Sequence, residues 1–128
     1  MRKLSLILVG AVALAAGSVA AAQAAPSGQV QLSCSTYSKV RSRNETYLLQ
    51  LDLAKKSGSL ARDGEAASVV PVISNTTTIA VFFKADGGQY IYYIARDSAK
   101  MTASFSANGA INRDQVVGAC NIAQGAAL

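Results

Sequence analysis

The sequence predicts an all-β domain, an antiparallel up-and-down small barrel or two-layer sandwich of about seven strands held by one disulfide. Three observations carry this expectation. Apolar residues recur at every second position through most of the chain, the period of a half-buried strand. Gly, Asn and Asp punctuate that alternation at short intervals, as hairpin turns require. Two cysteines, Cys34 and Cys120, stand near the two ends of the alternating region.

The chain opens with a segment of another kind. Met1, Arg2 and Lys3 form a short positive head, residues 4–16 are an apolar run, and residues 17–24 are small and end in Ala22, Gln23 and Ala24. That order matches a secretory signal peptide with an A-x-A cleavage site. The apolar run is too short for a stable span, which needs about 20 residues. The domain division is therefore a signal peptide at 1–24 and a single β domain at 25–128. Ten basic and seven acidic residues remain after the leader, a net charge of +3. No transmembrane segment is expected in the mature chain, which reads as exported to the periplasm or the medium. An oxidising compartment favours pairing of the even cysteine count, and two cysteines allow a single intramolecular bridge, Cys34 to Cys120. A redox-active pair would more often be C-x-x-C.

Along the domain, 29–37 alternates with Val30, Leu32 and Cys34 on one face, and 46–54 with Tyr47, Leu49, Leu51 and Leu53. Lys55 to Gly58 is a turn, 59–62 a short strand, and Asp63-Gly64 a second turn. Residues 66–73 are β-rich, but Pro71 removes one ladder donor and marks an edge or a bulge. After Ser74-Asn75, 76–84 aligns Ile79, Val81 and Phe83. Asp86, Gly87 and Gly88 signal a tight hairpin into 89–96, which aligns Tyr90, Tyr92 and Ile94. This pair is apolar on both faces, so both sides are expected to be covered. A turn at 97–100 leads to a strand with Met101, Ala103 and Phe105. Asn108-Gly109 ends it, and a short tail, 111–122, carries Val116, Val117 and Cys120.

Composition excludes several chemistries. The chain has no histidine, so Ser-His-Asp and Cys-His nucleophiles, imidazole-bound zinc and histidine switches are out. No G-x-S-x-G, P-loop or dinucleotide fingerprint is present, and no metal or cofactor is expected. The carboxylates Asp63, Asp86 and Asp97 fall in turns, where aspartate caps its own backbone, and Asp52 falls on a polar strand face. A catalytic carboxylate pair would arise only if the fold brought two of them together.

Two clusters are binding candidates. Lys39, Arg41 and Arg43 recur every second residue, so an extended backbone would aim all three to one side as an anion-binding comb. The alternative is a solvated loop. Tyr90 and Tyr92 are candidate aromatic contacts for a sugar or a protein partner, against the alternative that they fill the barrel with hydroxyls at its rim. Nucleic acid is not expected, because no recognition module is visible.

Leu32-Ser33-Cys34, the run from Tyr92 to Lys100 and Gly118-Ala119-Cys120 resemble a loose group of short exported bacterial β proteins of unknown function. Those proteins often carry Asp-Arg-x-Thr-Gly at the turn, where this chain has Ala95 before Arg96 and Ala99 in place of the glycine. The resemblance implies exported β structure and no catalysis. Bacterial lysozyme inhibitors are similar in size, β content and cysteine bridge. Their Ser-Gly-x-x-Tyr loop is approached only by the stretch from Asp86 to Tyr90, which lacks the serine, and their cationic target suits a basic chain poorly. The expectation is thus a non-enzymatic binding or interaction module with an envelope polysaccharide or protein as partner. An inhibitor of a lysozyme-like hydrolase and a small carboxylate hydrolase are the alternatives.

Overall fold

Alternation of apolar and polar side chains gives each strand one face that must leave water, and closing the sheet on itself buries all those faces at once. The computed structural model describes residues 28–125 and Leu128, so the expected leader at 1–24 lies outside the described residues. Eight antiparallel strands follow in chain order: β1 (Gln29–Ser38), β2 (Arg43–Asp52), β3 (Ser57–Arg62), β4 (Ser68–Ser74), β5 (Thr78–Ala85), β6 (Gly88–Ala95), β7 (Lys100–Ala107) and β8 (Ala110–Gly125). Each pairs with its neighbours in sequence, and β8 returns to β1 to close a barrel.

The barrel alternative thus prevails over the sandwich, and the strand count is eight where the sequence suggested about seven. The difference is the tail. Residues 110–125 form the longest strand, β8, which carries two irregularities. Between Ala103 and Phe105 of β7 the partner moves from Val116 to Asn112, and Asp114 there adopts φ 53°. Against β1 the partner moves from Gln124 to Ile122. Extra residues interrupt the period of two, so the tail does not read as a full strand.

The inward faces match the alternation. Val30, Leu32, Leu49, Leu51, Leu60, Val70, Val72, Ile79, Val81, Ile94 and Met101 are buried together with Tyr47, Tyr90 and Tyr92. Outward faces carry mainly Gln, Ser and Thr on β1, β3 and β7. The expectation that the β5–β6 pair is covered on both sides holds only inside. Outside, Phe82 and Ile91 are half-buried by their neighbours and Tyr93 is exposed, because closure covers the concave face alone.

Cys34 and Cys120 are register partners across the β1–β8 seam and are joined by a disulfide spanning 86 residues. The bridge therefore locks the pairing that closes the barrel. Two residue pairs further along the same seam, Gly118 faces Thr36; a Cβ at this glycine would run into the Ser35 carbonyl oxygen. Two-residue turns at Asp86-Gly87 and Asn108-Gly109 have positive φ at both positions, the geometry that fits the twist of a tight hairpin.

Candidate functional site

The ends of the barrel differ. Ser38, Arg43, Arg62, Ser68, Ala85, Gly88, Ala107 and Ala110 are strand termini on one rim. There the polar chemistry gathers. Glu45 is the first inward residue of β2, and its side chain is fully buried. It accepts from Arg43 Nε at 3.2 Å and the Tyr47 hydroxyl at 3.0 Å, and it forms an ion pair with Arg41, whose Nε lies 2.8 Å away. Arg62 ends β3 pointing inward. Its Nη1 and Nη2 donate to the two Asp86 oxygens at 2.7 and 3.3 Å, and its Nε donates to Glu65 at 3.2 Å. Its guanidinium carbon lies 5.3 Å from the centre of the Phe83 ring. Arg41 links the two halves, with Nη1 at 3.1 Å from Glu65 and 3.7 Å from Asp86.

Three tyrosines rise from the core into this network. The Tyr90 hydroxyl donates to Asp86 at 2.6 Å, and Tyr92 donates to Tyr47 at 3.1 Å, which in turn donates to Glu45. The rings pack on one another, with 5.1 Å between the Tyr47 and Tyr92 centres and 5.5 Å between Tyr90 and Tyr92. Burial raises all three phenols, Tyr47 to about 12. Glu65 is held below its ordinary value by hydrogen bonds from Arg41 and Arg62. Burial works against ionised Asp86, but Arg62 and Tyr90 outweigh it and the carboxyl is lowered. Burial likewise disfavours the Arg62 cation, and its pairs with Asp86 and Glu65 raise it regardless.

The one-sided basic comb does not form, because residues 39–42 are a turn and not an extended strand. The Ser38 hydroxyl accepts the Arg41 amide and Ser42 takes φ 54°, which folds the segment back toward Glu45. Arg41 and Arg43 spend their donors on carboxylates, while Lys39 stays exposed and makes no ion pair among the described residues. Tyr90 and Tyr92 are both fully buried, so neither offers a stacking face, and their hydroxyls reach the rim network instead. Arg62, Glu65 and Asp86 were not singled out as a group by the sequence. The one hint is that Arg62 breaks the polar-outward rule by standing in phase with Leu60 on the inward face of its strand.

The outer wall has its own organisation. Register partners run laterally from Ile73 to Ala80, Tyr93, Thr102, Val117 and Tyr37, crossing β4 to β8 and reaching β1. Ile73 is 57 % exposed, and Tyr93, Val117 and Tyr37 are each near two-fifths exposed. At its β1 end this belt borders an open hollow of about 410 Å³, lined by Tyr37, Asn44, Thr46 and Val117. Among the described residues no group of His, Cys, Asp and Glu has the arrangement to hold a metal ion. No family model, curated protein or solved structure matches this chain.

Proposed function

We propose that this chain is an exported, non-enzymatic interaction module of the cell envelope or medium, a disulfide-stapled barrel that meets its partner through its outer wall. The observation that carries the reading is the belt of Ile73, Tyr93, Val117 and Tyr37, apolar and aromatic side chains left in water on a barrel whose inward positions are taken up by its own side chains. Amphipathic aromatics of this kind supply contact area with little entropy loss on binding. The leader-like N-terminus and the disulfide support export. Inward apolar and mainly outward polar faces are the reverse of a membrane-spanning barrel. Glu65 and Asp86 are held lowered by their arginine partners, so neither offers the raised carboxyl that a general acid needs.

The test is photo-crosslinking of the oxidised chain in the envelope and medium of the producing cell, with the crosslinker placed in turn at Tyr93, at Tyr37 and at Lys55, which is exposed in the turn at the opposite rim. A discrete adduct from the belt positions and none from Lys55 is expected. Absence of adducts from the belt, or equal adducts from all three, would sink the reading. Lys39→Ala is a usable control for a basic contact, whereas removing Arg41 or Arg43 would also strip Glu45 of its partners.

A further inference from the structure

The outer wall around β1 is polar without being ionic. From Gln31 to Tyr37 on β1, from Asn44 to Gln50 on β2 and from Val117 to Asn121 on β8, no outward side chain carries a charge. The register sets Tyr37 between Asn44 and Val117, and Ser35 between Thr46 and Ala119. Residues two apart on a strand share a face, so the small Ser35 and Ala119 lie directly beside the larger Tyr37 and Val117, and the wall drops there. The drop is the open hollow of about 410 Å³, with Ser35, Tyr37, Asn44, Thr46 and Val117 on its lining. Glu45 borders it as well, but its side chain is fully buried and bonded to the rim network, so only its main chain reaches the hollow.

The polar groups of the hollow are uncommitted. Among the described residues the hydroxyls of Ser35, Tyr37 and Thr46 and the Asn44 amide have no hydrogen-bond partner in the protein, while the adjacent Thr36, Arg43 and Glu45 are all bonded. Hydroxyls and amides both donate and accept, whereas an ammonium only donates and a carboxylate only accepts. Such a set matches a ligand whose own groups do both, which is the chemistry of a sugar hydroxyl. A pyranose also has a face of C–H groups, and Tyr37, 43 % exposed, together with Val117 gives that face an aromatic and an aliphatic surface. Open to one side, the hollow receives one face of a chain passing over it and does not enclose a small molecule. We infer that it binds a neutral polysaccharide segment of extended, β-linked pyranose units, one unit packing on Tyr37 and Val117 with its hydroxyls on Asn44, Thr46 and Ser35. This rests on the interaction-module reading and gives that module its partner chemistry.

The probes are chitohexaose and cellohexaose, both neutral and β-linked, and the acidic hexagalacturonate; the readout is amide NMR on the intact oxidised chain. At least one neutral hexaose shifts the amides of Ser35, Tyr37, Asn44, Thr46 and Val117 with a millimolar or tighter Kd. Raising salt to about 0.5 M leaves that affinity unchanged, because no ion pair is involved. Hexagalacturonate binds more weakly. Tyr37→Ala weakens the bound hexaose about fivefold or more, while Tyr37→Phe, which keeps the ring, costs less than about threefold. Ser35→Trp, an exposed change that fills the hollow, abolishes the shifts, and should that variant fail to fold, the exposed Asn44→Ala weakens binding several-fold. Tyr93→Ala, on the belt but three strands away, changes nothing. Four results overturn the proposal: no shift from either neutral hexaose up to about 10 mM, shifts confined to residues outside the hollow, tighter binding of hexagalacturonate, or undiminished affinity in Tyr37→Ala. Crosslinks from Tyr93 or Tyr37 to a protein, without binding of a neutral hexaose, would remove the glycan site and leave the interaction-module reading standing.

Discussion

Ala99 occupies a backbone conformation its side chain disfavours, with φ at 60° in the turn between β6 and β7. An L-residue there pays about 1–2 kcal/mol relative to the right-handed region, and glycine pays none. Ala99→Gly should therefore stabilise the domain by about 0.5–1 kcal/mol after the loss of a partly packed methyl and the added freedom of the unfolded chain. Urea unfolding of the two proteins checks this, and a lower midpoint for the glycine form would count against it. The raised phenols make a second prediction. Tyr47 titrates at about 12 in the fold against an ordinary value of 10.0. A raised folded value means stability that is whole below pH 10 and is lost as pH rises toward 12. Denaturation midpoints should fall over that interval, and in a Tyr37→Phe/Tyr93→Phe background, which leaves only the three buried phenols, tyrosinate absorbance should appear together with unfolding and not before it.

Among the elements, the β1–β8 seam is the most constrained. Gly118→Ala would push a methyl against the Ser35 carbonyl and the Thr36 Cα, both backbone, so neither can swing aside. A loss of about 1–3 kcal/mol is expected, measured by thermal or urea unfolding of the oxidised form. Strands whose alternation is unbroken were legible from the sequence. β1, β2, β5 and β6 bury the residues that their period assigned inward. β8 was not legible as a full strand, because its two register shifts move residues out of phase and leave Ile111 and Ile122 in water. Pro71 was legible as a missing donor, but its consequence depended on which neighbour that donor would have faced, and that is a property of the sheet.

At the scale of the whole molecule, the disulfide and the rim network act on stability in different ways. The bridge restrains the unfolded chain over 86 residues, a contribution of roughly 4–5 kcal/mol in the chain-entropy model. Cys34→Ala should lower unfolding stability by several kcal/mol, and an unchanged midpoint would mean the bridge is idle. The rim network is a pH matter. Asp86 and Glu65 have folded values lowered from 3.8 and 4.5. Their contribution is present above those unfolded values and is lost as pH falls through the lower folded ones, so stability should decline below about pH 4. Asp86→Asn should flatten that acid limb while lowering stability at neutral pH, which urea midpoints across the acid range would show.

The sequence by itself determined the class of fold, the inward face of most strands, the tight turns and the cysteine pairing. Each of these is written in local signals: a period of two, a glycine that accepts positive φ, an even count of cysteines. Only the tertiary structure decided that the sheet closes with eight strands, that Arg41 and Arg43 turn onto Glu45 in place of forming a comb, and that Arg62 meets Asp86 across the rim. Those outcomes depend on the stagger between strands far apart in the chain. Residue 62 and residue 86 come within 2.7 Å because β4 is set low beside β3 and leaves the rim between β3 and β5 for their side chains to bridge. No local pattern encodes that distance; it is fixed by the register of strands that meet only when the barrel closes.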